Sequence, residues 1–176
     1  YILRILLLLA LSLGLSIQLF DISRAFLHAL ITGDPIYVWP PKELYPEGGV
    51  IWKLLKAMYG LRSAPHDWQE HFAATMIAEG FKRLQTEPNV YIKISIMAII
   101  FCHVDDLMVF CRERDLEAIK EMLSIHFLIK YLGNLNTENS HTTCLGRNLL
   151  RLGDSIRIHM KPGYFTEDLK YFGLER

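Results

Sequence analysis

The most informative stretch of the sequence is Ile99-Ile-Phe-Cys-His103-Val-Asp105-Asp106-Leu-Met-Val-Phe110. Two apolar runs flank a pair of adjacent acidic residues, a pattern that predicts two strands joined by a short turn. Burying a carboxylate without a partner is costly, and two neighbouring carboxylates repel each other. The residues alone leave two interpretations open. Asp105 and Asp106 either lie in a solvated hairpin turn, whose dihedral angles aspartate tolerates, or they bind a cation.

A third acidic residue, Asp21, lies near the end of another apolar run, and residues 17–22 are predicted to form a strand. Three carboxylates on two adjacent strands are the hard oxygen ligands that a pair of Mg²⁺ ions requires. Two such ions stabilise the attacking and leaving oxygens of a phosphoryl transfer. The sequence contains no G-x-S-x-G, Walker A or G-x-G-x-x-G motif, so it points to no competing nucleophile or phosphate loop.

The composition is that of a chain with one buried core, or of a piece of a larger domain. Its 176 residues are 51% hydrophobic, and its 19 basic and 19 acidic side chains leave no net charge. The chain therefore has no global field that attracts nucleic acid or an anionic membrane. Cys102, Cys111 and Cys144 form no C-x-x-C pair, which argues against a disulfide framework or zinc ribbon and predicts small core residues.

The remaining periodicity predicts an α+β fold with antiparallel hairpins rather than alternating βαβ units. Helices are predicted from about 64 to 79, over 115–127 and from about Pro162. Strands are predicted over 36–39, 89–94, 96–103, 107–111 and 155–160. The buried face of the first of these helices is predicted to comprise Trp68, Phe72, Met76 and Ile77.

Residues 5–20 carry no charge, which raises the question of a membrane segment. The run is shorter than the roughly 18 to 20 apolar residues that a spanning helix needs. We therefore predict a buried helix from Ile2 to about Leu13 and no membrane partner. Membrane anchoring through residues 5–20 remains the alternative hypothesis.

Three motifs resemble the reverse transcriptase of copia-type long-terminal-repeat retrotransposons. Asp21-Ile-Ser-Arg-Ala-Phe-Leu27 is similar to the family's first catalytic motif, and Met58-Tyr-Gly-Leu-Arg-Ser-Ala-Pro65 to its L-Y-G-L-[KR]-Q-A-P signature. His103-Val-Asp-Asp106 matches the Y-V-D-D box, with histidine in place of tyrosine. The resemblance extends from about residue 2 to 174. It implies a right-hand polymerase palm, an antiparallel sheet packed on helices, with partial fingers and the start of a thumb.

The resemblance also implies a role for individual residues. The catalytic and metal-binding groups are Asp21, Asp105, Asp106 and the backbone of Ile22. The deoxynucleotide contacts are Ser23, Arg24, Ala25, Phe26, Tyr59 and Gly60, with Phe26 excluding a 2′-hydroxyl and the N–H groups of residues 22–25 facing the triphosphate. The nucleic-acid contacts are Arg62, Pro65, His103, Leu145 and Gly146, with Leu145 and Gly146 in a turn that resembles the primer grip. Without the resemblance, Phe26 is more typical of a core residue than of a nucleotide contact.

The implied activity is RNA-directed DNA synthesis with two Mg²⁺ ions, which Mn²⁺ can replace. The implied partners are a primer on an RNA or DNA template, deoxynucleoside triphosphates, and the integrase and RNase H of a Pol polyprotein. Residues 1–176 are then one palm-centred fragment that lacks the N-terminal fingers and RNase H, located in cytoplasmic virus-like particles and the nucleus. The alternative is an inactive relic or a repurposed nucleic-acid-binding module, which His103 and the zero net charge favour.

Overall fold

The computed structural model describes residues 1–160 and 163–174. The helices are α1 (Ile2–Ser12), α2 (Ala64–Ala78), α3 (Leu116–His126) and α4 (Thr166–Tyr171). The strands are β1 (Ser16–Ile22), β2 (Tyr37–Val38), β3 (Trp52–Lys53), β4 (Lys82–Arg83), β5 (Val90–Lys93), β6 (Ala98–His103), β7 (Asp106–Cys111), β8 (Ile129–Asn134), β9 (His141–Cys144), β10 (Arg147–Leu152) and β11 (Ser155–Met160). The predicted helix start at Pro162 lies outside the described residues.

A six-stranded antiparallel sheet with the order β4-β5-β6-β7-β1-β8 forms the centre of the fold. Strands β9 to β11 form a second antiparallel sheet, and β2 pairs with β3. The α+β class with antiparallel hairpins is confirmed. The predicted strands 89–94 and 96–103 are shorter than expected because Ile94–Ile96 forms a turn of 3-10 helix and Met97 has a φ of 49°.

Both faces of the central sheet are covered, which explains why β6 and β7 are apolar over most of their length. Side chains alternate between the faces, so that Leu107 and Val109 of β7 point to one core while Met108 and Phe110 point to the other. The first core lies between the sheet, α2 and α3, and the second lies between the sheet, α1 and the β9–β11 sheet. The active-site candidates stand at the end of β1 and at the β6–β7 turn, on strands fixed by both cores.

Helix α1 is only half buried, so the prediction of a buried helix is correct for one face and wrong for the other. Residues Leu3, Leu6, Leu7 and Ala10, at i, i+3, i+4 and i+7, contact the second core. Ile5 and Leu8, which lie on the opposite side, are 58% and 66% exposed. Within the described part of the chain, no helix has the length and apolar character needed to cross a bilayer.

Helix α2 buries Trp68, Phe72 and Met76 as predicted, but Ile77 is 56% exposed. The prediction of Ile77 as a face residue is wrong for a geometric reason. With about 100° per residue, Ile77 lies nine positions and half a revolution from Trp68, whereas Met76 lies only about 80° away. Pro65 occupies the first turn of α2, as expected from its fixed φ.

All three cysteines are buried and free, which confirms their prediction as core residues. Burial is the largest effect on their thiols and raises the pKa of Cys111 and of Cys144 to about 12. Both side chains are therefore protonated near neutral pH and act as small apolar groups.

Candidate active site

The β6–β7 hairpin presents the two adjacent acidic residues at one end of the central sheet. His103 pairs with Asp106, so Val104 and Asp105 form the turn. Val104 has a φ of 58°, a left-handed conformation that is unfavourable for a β-branched residue. His103 and Asp105 are exposed, whereas Asp106 is half-buried. The two carboxylates of the pair therefore occupy different environments.

Strand β1 brings the third carboxylate to the same end of the sheet. Asp21 of β1 and Asp106 of β7 are directly opposite each other in the antiparallel register. The N–H of Ile22 donates a hydrogen bond of 2.8 Å to the carbonyl oxygen of Asp105. This bond fixes the end of β1 to the hairpin turn and gathers the three aspartates that the sequence singled out.

Asp106 lies in an environment that opposes its negative charge. Burial is the largest effect and raises the pKa of its carboxyl group, and the charges of Asp105 and Asp21 raise it further. A hydrogen bond from the Leu145 N–H and the nearby His103 act in the opposite direction and lower the pKa. The net effect is a raised pKa, so the surroundings of Asp106 disfavour the charged form of its carboxyl group.

The donor set suits a divalent cation, because carboxylate oxygens are hard ligands and a bound cation would offset the repulsion between neighbouring carboxylates. Asp21, Asp105 and Asp106 supply those oxygens from elements joined by backbone hydrogen bonds. Within residues 1–160 and 163–174, no three Asp, Glu, His or Cys side chains are arranged so that together they could hold a metal ion. The backbone brings the three aspartates to one end of the sheet, and their role as metal ligands is a prediction.

The turn between β9 and β10 contacts this cluster. Leu145 and Gly146 form the turn, and the N–H of Leu145 donates to Oδ2 of Asp106 at 3.0 Å. Both residues were predicted to hold nucleic acid. The structure places Leu145 beside the carboxylates, with its side chain partly buried against the second core, and leaves Gly146 exposed.

The segment after Asp21 differs in part from the expected triphosphate cradle. Two of its four N–H groups are already used, since Ile22 donates to Asp105 and Ser23 donates to the carbonyl oxygen of Leu128. The prediction that all four face a triphosphate is therefore wrong for these two. Arg24 has a φ of 57° and is exposed, and the buried Ala25 begins a turn of 3-10 helix that ends at residue 28.

Phe26 and Tyr59, both predicted as nucleotide contacts, lie against each other. Their ring centroids are 4.7 Å apart, and Phe26 is only partly buried while Tyr59 is 55% exposed. Gly60 follows with a φ of 97°, a value that favours glycine, and space is open where a Cβ would stand. Arg62 and Pro65 are exposed at the start of α2. These residues form a surface with an accessible aromatic pair.

Two residues outside the predicted set also support the site. The indole N–H of Trp68 donates to the carbonyl oxygen of Val104 at 2.7 Å, and His28 Nε2 hydrogen-bonds to the carbonyl oxygen of Ser23 at 3.2 Å. The sequence could have indicated that Trp68 makes a hydrogen bond, because a buried tryptophan requires an acceptor for its indole N–H. No local pattern indicates the contact of His28.

Replacing Trp68 by phenylalanine is expected to lower the free energy of unfolding by at least about 1 kcal/mol, since it removes one hydrogen bond and also leaves a small cavity in a well-packed site. Urea denaturation monitored by circular dichroism measures this change. His66→Ala, an exposed position on the same helix, is the control and should leave the stability unchanged. Equal stability of the parent and the Trp68→Phe variant would contradict the structural role of this bond.

Comparison with known proteins identifies a family whose members are similar to this chain in sequence. A family model described as reverse transcriptase (RNA-dependent DNA polymerase) matches residues 1–174. The chain is 32% identical over 136 residues to the retrovirus-related Pol polyprotein from transposon TNT 1-94 of Nicotiana tabacum, a match that covers 74% of this chain and 10% of the polyprotein. It is 31% identical over 144 residues to the putative transposon Ty5-1 protein of Saccharomyces cerevisiae, covering 77% of this chain and 46% of that protein.

A third relative is the retrovirus-related Pol polyprotein from transposon RE1 of Arabidopsis thaliana, 26% identical over 96 residues and matched over 53% of this chain and 6% of the polyprotein. The chain thus spans about a tenth of the tobacco polyprotein and less than half of the yeast protein.

Proposed function

The chain belongs to the reverse transcriptase (RNA-dependent DNA polymerase) family, and we propose that it is the palm-centred part of a copia-type RNA-directed DNA polymerase. The proposed reaction is attack of a primer 3′-hydroxyl on the α-phosphate of a deoxynucleoside triphosphate, with release of pyrophosphate. The phosphodiester bond forms as the bond between the α- and β-phosphates breaks.

One observation carries the proposal. Asp21 and Asp106 are cross-strand partners, and Asp105 is tied to the end of β1 through the N–H of Ile22. Three carboxylates from two separate sequence motifs are thereby collected at one sheet end, which a solvated turn alone does not require. The interpretation of Asp105 and Asp106 as an inert turn does not account for the register that places Asp21 opposite Asp106.

These carboxylates and the backbone of Ile22 are the groups that would hold two Mg²⁺ ions, or Mn²⁺ in their place. When bound, the ions supply positive charge that stabilises the attacking and leaving oxygens of the transfer. The protein's own contribution would be to hold Asp21 and Asp106 on strands that are packed on both faces and Asp105 on the turn beside them, so that the oxygen donors rearrange little during the reaction.

The nucleotide is proposed to bind over the pair formed by Phe26 and Tyr59, with Phe26 excluding a 2′-hydroxyl. Arg24 is exposed and lies three residues after Asp21, and it is proposed to meet the triphosphate together with the side chain of Ser23 and the backbone N–H of Ala25. On the template side, Gly60 allows close backbone approach because it has no side chain, and space is open beside it.

The primer is proposed to lie between His103, which is exposed beside the acidic pair, and the turn formed by Leu145 and Gly146. Arg62 is a charged contact for a phosphate of the template.

The proposed partners of the whole protein are an RNA or DNA template, deoxynucleoside triphosphates and the integrase and RNase H of a Pol polyprotein. Its proposed locations are the cytoplasmic virus-like particle and the nucleus.

In the presence of Mg²⁺ and deoxynucleoside triphosphates, the chain should extend a DNA primer that is annealed to an RNA template. The same reaction with ribonucleoside triphosphates should give far less product, because Phe26 would contact a 2′-hydroxyl. Salt-dependent RNA binding without metal-dependent synthesis would contradict the proposal and favour a nucleic-acid-binding module instead.

A further inference from the structure

The β9–β10 turn has a backbone conformation that its sequence does not favour. Cys144 pairs with Arg147, so Leu145 and Gly146 are the two central residues of a hairpin turn. Their φ values are 49° and 71°, as a type I′ turn requires. Asparagine, aspartate and glycine are the residues that favour the first central position, and a leucine there is strained. Strained residues that are held in place by their surroundings are concentrated at functional sites.

The N–H of Leu145 is free for a contact outside the hairpin, because the first central N–H of a two-residue turn takes no part in the ladder of hydrogen bonds. It donates to Oδ2 of Asp106 at 3.0 Å, across 39 residues of sequence. The partly buried leucine side chain holds the turn against the second core. The side chain therefore anchors the turn while the backbone contacts the carboxylate.

We propose that Leu145 is a positioning residue, whose backbone N–H orients the carboxylate of Asp106 for a divalent cation. This inference rests on the proposed function. With Oδ2 engaged by the turn, the second oxygen of Asp106 is the one presented to the cation. Donors behind a metal-binding carboxylate fix its orientation, and their removal typically weakens metal binding by about 10-fold to 100-fold. The turn that is proposed to hold the primer is thereby hydrogen-bonded to one of the carboxylates proposed to bind the cations.

The test removes one N–H without changing any side chain. The α-hydroxy analogue of leucine is incorporated at position 145 of the full chain, which replaces the amide by an ester. An ester at Gly153 is the matched control, because Gly153 is the first residue of the exposed turn at the other end of β10 and has a φ of 54°. Mn²⁺ affinity is measured by electron paramagnetic resonance, and thermal unfolding by circular dichroism.

The ester at 145 should weaken Mn²⁺ binding about 10-fold, whereas the ester at 153 should leave the affinity within about twofold of the parent. The ester at 145 also removes a hydrogen bond and should lower the unfolding temperature more than the ester at 153, so the Mn²⁺ affinities are compared at a temperature at which all three proteins are folded. Unchanged or tighter Mn²⁺ binding by the ester at 145 would overturn the inference. If the unmodified chain binds no Mn²⁺, the proposed function itself fails, and the two failures are thus distinguishable.

Amide hydrogen exchange provides a second measurement that does not depend on folding of the ester. The N–H of Leu145 should be protected in the parent chain and should exchange at least about 10-fold faster in Asp106→Ala, which removes its acceptor. Equal exchange rates in the two proteins would overturn the inference, since they would mean that the bond to Asp106 does not protect this N–H.

Discussion

Asp106→Asn is expected to abolish RNA-templated primer extension, with a loss of at least about 10³-fold in rate. The substitution keeps an oxygen that accepts the Leu145 N–H but removes the negative charge. Metal ions at such sites supply several kcal/mol of transition-state stabilisation, and each 1.36 kcal/mol corresponds to a factor of ten. Asp21→Asn should have the same effect, because Asp21 faces Asp106 across the strand pair. Primer extension at saturating nucleotide measures both.

Asp154→Asn is the matched control for these variants. Asp154 is exposed in the turn between β10 and β11, and the change removes the same charge at a distance from the proposed site. It should extend primers at the parental rate. Circular dichroism should show that all variants are folded, so that a loss of activity reports on the site. Full activity in Asp106→Asn or in Asp21→Asn would refute the assignment of these carboxylates.

Phe72→Ala is expected to give the largest loss of stability, about 3–5 kcal/mol in the free energy of unfolding. Phe72 is 1% exposed and lies at the centre of the first core. Its ring stacks on Phe127 at a centroid distance of 5.1 Å and makes edge or tilted contacts with Tyr91 at 5.3 Å and Trp68 at 5.6 Å. Alanine removes all three contacts and leaves a cavity.

Ile77→Ala on the same helix is the control for Phe72→Ala. Its side chain is 56% exposed, so its truncation should change the stability by no more than about 0.5 kcal/mol. Urea denaturation of the two variants separates burial from helix propensity, because both substitutions introduce alanine into α2. Similar losses from both positions would contradict the packing described for this core.

Much of the central sheet was predictable because its strands carry local signals. The β6–β7 hairpin was recognisable from two apolar runs around Asp105 and Asp106, and β1 from the run that ends near Asp21. Helix α2 was found almost to its last residue, since its apolar spacing persists and Gly80 follows it. A periodic pattern depends on neighbouring residues alone, which is why these elements were predicted well.

Contacts between distant segments were not predictable in this way. The Leu145 N–H reaches Asp106, and the Trp68 indole reaches Val104, through packing that no local pattern records. Strand β8 at the sheet edge carries only half-buried and exposed residues and was not predicted as a strand. Its pairing with β1 depends on tertiary context rather than on its own alternation.

The residues alone suggested that Asp21, Asp105 and Asp106 act together, and the resemblance to a family gave each of them a specific role. Asp21 and Asp106 are 85 positions apart, and their opposition in the register emerges only from the strand order. The same resemblance overstated one feature. It implied four free N–H groups after Asp21, whereas Ile22 and Ser23 use theirs to join β1 to the hairpin turn and to Leu128.

The central claim is that Asp21, Asp105 and Asp106 hold divalent cations, and iron-directed cleavage of the chain tests it most directly. Fe²⁺ is added in place of Mg²⁺, and ascorbate with hydrogen peroxide then generates radicals that cut the backbone near the bound ion. Cuts should cluster near residue 21 and near residues 105–106, should be suppressed by excess Mg²⁺, and should disappear in Asp106→Asn. Cleavage elsewhere, or the same cuts in that variant, would contradict the claim.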